Sequence, residues 1–270
     1  MLEKFIKNAK DNNFFKLINF LITTYCLIII YQKIESKDFY EILDSQFINV
    51  LFLIYFSSIG QSLAWSILIS NKINIIHIHN WMYSNIGKYI PFKVGVFTKR
   101  LIDNNLIIDS RKLTKGIVKE QIYILLPTLI FGSFIYFKLE YFLISLITLL
   151  IILKKIFLSN NLKIFSIYFL SELIYLFAVI KFFSIYFQSQ LIELSILYLV
   201  SAAISLFIFT APAGIGVREY VFLNLTIFFN FAAPNLISIL LGFRIITILS
   251  DILVHLTSFY TRRLLNKKFK

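Results

Sequence analysis

Charge is scarce in this sequence. Asp, Glu, Lys and Arg make up 15% of its 270 residues, and acidic residues number 14 against 27 basic ones. A soluble domain carries about 25% charged residues, so an ordinary water-facing surface is excluded. Glycine (8) and proline (4) are rare too, which excludes collagen-like and low-complexity chains and makes the places where they fall informative. The single cysteine, Cys26, cannot form an intramolecular disulfide, and the redox compartment stays undetermined.

What fills the gap is apolar. Hydrophobic residues reach 59%, with 30 Phe and 15 Tyr, and the mean hydropathy is +0.80. A water-soluble fold cannot hide that much apolar surface, so the chain reads as a membrane protein. The net charge of +13 would suit a nucleic-acid binder only if the basic residues clustered on a water-exposed face. Here they sit between apolar runs, the pattern of cytoplasmic loops facing anionic headgroups. Lipid is the expected partner and nucleic acid is not.

The expected fold class is all-α, a polytopic transmembrane bundle of about eight spans. The runs are Phe14–Ile34, Phe47–Ile69, Ile117–Phe137, Tyr141–Leu153, Ile164–Phe183, Leu191–Ala211, Tyr220–Phe231 and Leu236–Tyr260, the seventh too short to cross comfortably. Lys4, Lys7, Lys10 and Lys16 precede the first run, and Arg262, Arg263, Lys267, Lys268 and Lys270 follow the last, so both termini are expected to be cytoplasmic. The acidic connection 35–44 is expected outside, and the basic stretches 72–115 and 154–163 inside. The first run is too long for a signal-peptide core and no small-x-small site follows it, so it reads as a retained anchor in a cell membrane. Nothing marks a linker or a second domain, and residues 1–270 read as one membrane unit.

Two segments interrupt this pattern. Residues 73–96 are too polar for an ordinary crossing and too apolar for an ordinary loop, and Gly87, Pro91 and Gly95 are placed to break a helix there. Residues 211–220, APAGIGVREY, repeat the pattern after the sixth run. Pro91-x-x-Val94-Gly95-Val96 aligns with Pro212-x-x-Ile215-Gly216-Val217, and each follows the second span of a four-span half, giving candidate repeat halves 1–160 and 161–270. Broken helices survive in a bilayer only around protein or a water-filled cavity, and paired breaks in duplicated halves point to a substrate site.

The same residues resemble the lysylphosphatidylglycerol synthase transmembrane-region family of flippase-like membrane proteins. Ser84, Lys88, Tyr89, Pro91, Lys93 and Arg100 are similar to its first motif, S-x-x-x-K-Y-x-P-G-K followed by Arg. Pro212, Gly214, Gly216, Arg218 and Glu219 are similar to its second, P-G-G-x-G-x-R-E. Glu120 before the third span and Arg244 in the last also resemble the family, whereas Phe92 and Ala213 stand where it has glycine. The resemblance implies translocation of a phospholipid or lipid-linked anionic molecule between leaflets, with substrate contacts at these positions. Family members that make lysyl-lipid carry a soluble transfer domain after the membrane region. None follows here within the sequence, so the expectation is a non-enzymatic translocase needing no cofactor.

Charges inside apolar spans are costly and therefore functional candidates. Arg244, Asp251 and His255 fall within roughly 20° of one line on the last helix, a polar stripe in which Arg244 suits a phosphate and Asp251 with His255 suits orientation or titration. Glu172, mid-span between Tyr168 and Tyr175, needs neutralising by Arg244 or Arg218, and otherwise suggests proton coupling. His77 and His79 point some 160° apart on a helix and lack a neighbouring carboxylate or thiolate, so they read as interfacial polar residues and no metal is expected. Two other functions compete. A membrane-embedded transferase acting on a lipid-linked sugar would need Glu35, Asp38, Glu41 or Asp44 in an outer connection, and a non-catalytic assembly partner in lipid-linked glycan or envelope synthesis would use the same motifs to hold its fold; a homo-oligomer or an envelope-synthesis partner is a further expected association.

Overall fold

The computed structural model describes residues 46–89, 96, 100, 112–133, 159–187, 189–207, 214, 216–231 and 236–268. Its described elements are all helices, with no strand among the described residues. In chain order they are α1 (Gln46–Ser70), α2 (Ile75–Asn85) with a 3-10 turn (Ile86–Tyr89), α3 (residues 112–133), α4 (Ser159–Phe183), α5 (Leu191–Phe207), α6 (Val217–Phe228) and α7 (Leu236–Lys268). Three stretches, Gln46–Ser70, Leu162–Phe183 and Leu236–Tyr260, are long and apolar enough to cross a membrane, so this is a helical membrane protein. The expected runs 14–34 and 141–153 lie outside the described residues, as do Pro91, Lys93, Gly95 and Pro212.

Local chemistry sets the breaks. Asn74 starts α2 by accepting the Ile76 N–H at 3.0 Å, and its own N–H donates to Ser66 Oγ at 2.6 Å, which ties the short 71–74 turn to the end of α1. The helix tightens into the 3-10 turn at Ile86, with Gly87 inside that turn. The 12 residues of α6 span about 18 Å, too short to cross the hydrocarbon, as the seventh apolar run implies. Its N-terminus turns at Gly216, φ +80°, a conformation only glycine takes without strain.

Small residues let α1 and α4 pack closely, the usual driving contact between helices in lipid. A Cβ on Gly60 would lie 2.3 Å from Ser171 Oγ. Two apolar clusters cap the interior. Phe182, Phe183, Tyr198, Phe222 and Phe243 join α4 to α7, while Trp65, Trp81, Leu113, Ile117 and Val254 join α1, α2, α3 and α7. Of its membrane window 67% is buried in α7, against 39% in α1 and 44% in α4, which makes α7 the central helix.

Candidate functional site

Between those clusters lies a cavity of about 350 Å³. Every described helix contributes to its wall: Ser57, Ser58 and Gln61 from α1, Trp81 and Asn85 from α2, Glu120 and Thr128 from α3, Glu172 and Tyr175 from α4, Ser205 from α5, Arg218 from α6, and Arg244, Thr247 and Asp251 from α7. Lys88 and Tyr89 of the 3-10 turn, Val96 and Arg100 complete it. Glu172 lies about 15 Å along its apolar helix window from either end, and Arg244 about 12 Å from the start of its own.

Asp251 is the hub of one wall. Its carboxylate accepts from Asn85 Nδ2 at 2.9 Å, Lys88 Nζ at 2.7 Å and Tyr89 OH at 2.5 Å. Three donors from five consecutive residues clamp the end of α2 and its 3-10 turn onto α7. The Asp251 side chain is buried, while part of the Lys88 side chain stays exposed. His255, one turn on, stacks on Tyr83 and meets the Tyr83 carbonyl at 3.2 Å, outside the cavity wall.

A second buried pair joins Arg100 to Glu120, with Arg100 Nε donating to Ser84 Oγ at 3.0 Å and Trp81 Nε1 donating to Glu120 at 2.5 Å. The guanidinium carbon lies 4.6 Å from the Trp65 ring and 5.4 Å from the Trp81 ring. Planar, weakly hydrated guanidinium suits this cation–π setting, where an ammonium would lose more solvation.

The remaining acid, Glu172, accepts from the neutral Gln61 Nε2 at 2.9 Å, so its hydrogen-bond partner is neither arginine that the sequence offered. Arg218 donates to Tyr198 OH at 3.1 Å and lies over the Tyr198 ring, while its Nε finds no partner among the described residues. Glu219 accepts the Gly216 N–H at 2.8 Å, closing the start of α6 as a helix cap. Gly214, φ +73°, sits where a Cβ would press on Ser205 Oγ at 2.8 Å.

Comparison with protein-family models, curated proteins and solved structures finds no match.

Of the expected site residues, the cavity gathers Lys88, Tyr89, Arg100, Glu120, Glu172, Arg218, Arg244 and Asp251, and leaves Gly214, Gly216 and Glu219 in the turn that presents Arg218. Sequence reasoning missed Gln61, Asn85, Trp65, Trp81 and Tyr198. A signal existed for two of these, because Trp65 and Trp81 are the only tryptophans in the chain and both meet Arg100. His77 and His79, read as interfacial, are buried in the protein, with His79 Nδ1 3.0 Å from Ser258 Oγ. No group of three or more His, Cys, Asp or Glu that could hold a metal occurs among the described residues.

Proposed function

We propose that this protein moves a phospholipid or another lipid-linked anionic molecule between the leaflets of a cell membrane. The observation that carries the reading is the cavity wall, lined by Arg218 and Arg244 beside the ion pairs Lys88–Asp251 and Arg100–Glu120. Positive groups in the membrane interior are expensive and persist where they serve a substrate or ion path. An anionic headgroup repays part of that cost, and Arg218 suits it best because a guanidinium binds a phosphate through two parallel N–H donors. Acyl or prenyl tails stay in the hydrocarbon, so a cavity sized for a headgroup is sufficient.

The resemblance of both motifs to a flippase-like family supports the same reading, as does the convergence of residues from both motifs on one cavity. About eight crossings with both termini cytoplasmic belong to this proposal.

The test is reconstitution. Purified protein in vesicles containing trace headgroup-labelled phosphatidylglycerol, or a labelled polyprenyl phosphate, is expected to expose inner-leaflet label to an impermeant reductant faster than empty vesicles. Arg218→Gln should slow this by about tenfold or more, the cost of one charge-assisted contact. Transfer no faster than in empty vesicles for both lipids would sink the proposal.

A further inference from the structure

Glu172 has no role in the picture so far. It is buried at mid-membrane on a crossing helix, lines the cavity, and has a neutral amide as its hydrogen-bond donor. Every other acidic group of the described wall is held by a cation, Asp251 by Lys88 and Glu120 by Arg100. A carboxylate in the bilayer interior ionises only if its surroundings replace the lost hydration, and one amide replaces little.

The wall of the same cavity carries charged and titratable groups on several elements. Glu120 comes from α3, Arg218 from α6, Arg244 and Asp251 from α7, Lys88 and Tyr89 from the 3-10 turn, and Arg100 stands beside them, with Tyr175 on the same helix. The walls from α1 and α5 are uncharged, built from Ser57, Ser58 and Gln61 and from Leu199, Ala202, Ala203 and Ser205. The described wall thus carries four basic and three acidic groups, a net charge of +1 that becomes +2 when Glu172 holds a proton.

We infer that Glu172 is a proton site coupled to the anion cavity, taking up a proton as an anionic headgroup enters and releasing it as the headgroup leaves. The bond formed is O–H on the Glu172 carboxylate, with the proton drawn from water, and no electrons move. The sign follows from charge. An anion in the cavity repels the ionised carboxylate and favours the neutral acid, and by reciprocity the neutral acid favours the anion. Affinity for the anion therefore rises as pH falls through the titration of Glu172, by at most about tenfold per pH unit for one linked proton. Glu172 and Gln61 sit beside the close approach of Gly60 to Ser171.

The inference rests on the proposed anion cavity, so its test separates the two. Full-length protein in detergent is titrated with a dansyl-labelled short-chain phosphatidylglycerol, read by energy transfer from Trp65 and Trp81, between about pH 8 and about pH 5, a range that covers a buried carboxylate. Wild type should bind more tightly at the acid end. Glu172→Gln should bind equally across the range, with wild-type acid affinity. Gln61→Ala keeps the carboxylate but removes a hydrogen bond that favours its ionised form, so the rise should begin at higher pH. This second variant decides the matter if the first does not fold. A pH dependence unchanged in Glu172→Gln, a midpoint unmoved in Gln61→Ala, or a flat wild-type profile overturns the proton role while leaving the anion cavity standing. A probe that binds at no pH overturns both.

Discussion

Arg100 and Glu120 show how a residue expected to touch substrate can belong to the frame instead. Each is almost wholly buried, each is the other's counter-charge, and Trp65, Trp81 and Ser84 lie against the guanidinium and Trp81 against one carboxylate oxygen. Removing one partner of such a pair leaves a buried charge uncompensated, at a cost of about 3–5 kcal/mol. Glu120→Gln should therefore lower the thermal unfolding midpoint of the detergent-solubilised protein markedly. Glu120→Gln combined with Arg100→Met should recover much of the loss, because the orphaned charge is gone. A double variant no more stable than the single one would argue that Arg100 contributes through its stacking on the tryptophans. Asp251 differs, since it is held by three donors, Asn85, Lys88 and Tyr89, and its Lys88 partner is partly exposed.

At the scale of elements, the cavity depends on helices that cannot move independently. The contact of α1 with α4 passes through Gly60, where any side chain meets Ser171. Gly60→Ala should push the helices apart at the level of Gln61 and Glu172 and destabilise the protein by about 1–3 kcal/mol, the usual cost of overpacking. Ser171→Gly added to it should restore the wild-type unfolding midpoint, since the clashing atom is removed. Failure of that rescue would place the strain elsewhere. The short helices obey a different rule. α2 lies inside the first interrupted segment and α6 begins inside the second, and both start where side chains meet free backbone groups, Asn74 for α2 and Glu219 for α6. Both caps come from polar residues of those segments, which is why segments too polar to cross still form ordered helix.

For the whole molecule, the distribution of Lys and Arg makes a topological prediction. In a Cys26→Ser background, cysteines placed at Lys10 and Lys268 should both react with a membrane-impermeant maleimide only after the cytoplasmic side is opened, and a cysteine at Asp38 should react from outside. Labelling of residues 10 and 268 from opposite sides would refute the even crossing number. The class of the molecule was legible from the chain alone, because hydropathy is additive along a helix and needs no partner. The span Leu236–Tyr260 emerges with the expected limits, and the shortness of the seventh run survives as α6. Gly214 and Gly216 were legible too, since a turn with positive φ demands glycine. Helix phase also put Arg244 and Asp251 on one line, and both line the cavity. What phase cannot say is which face meets which. Asp251 finds Asn85, Lys88 and Tyr89, and Glu172 finds Gln61, across more than a hundred residues of chain. Those pairings exist only once the helices pack, because a polar group in lipid takes whatever donor the tertiary fold brings within about 3 Å, whatever its distance in sequence.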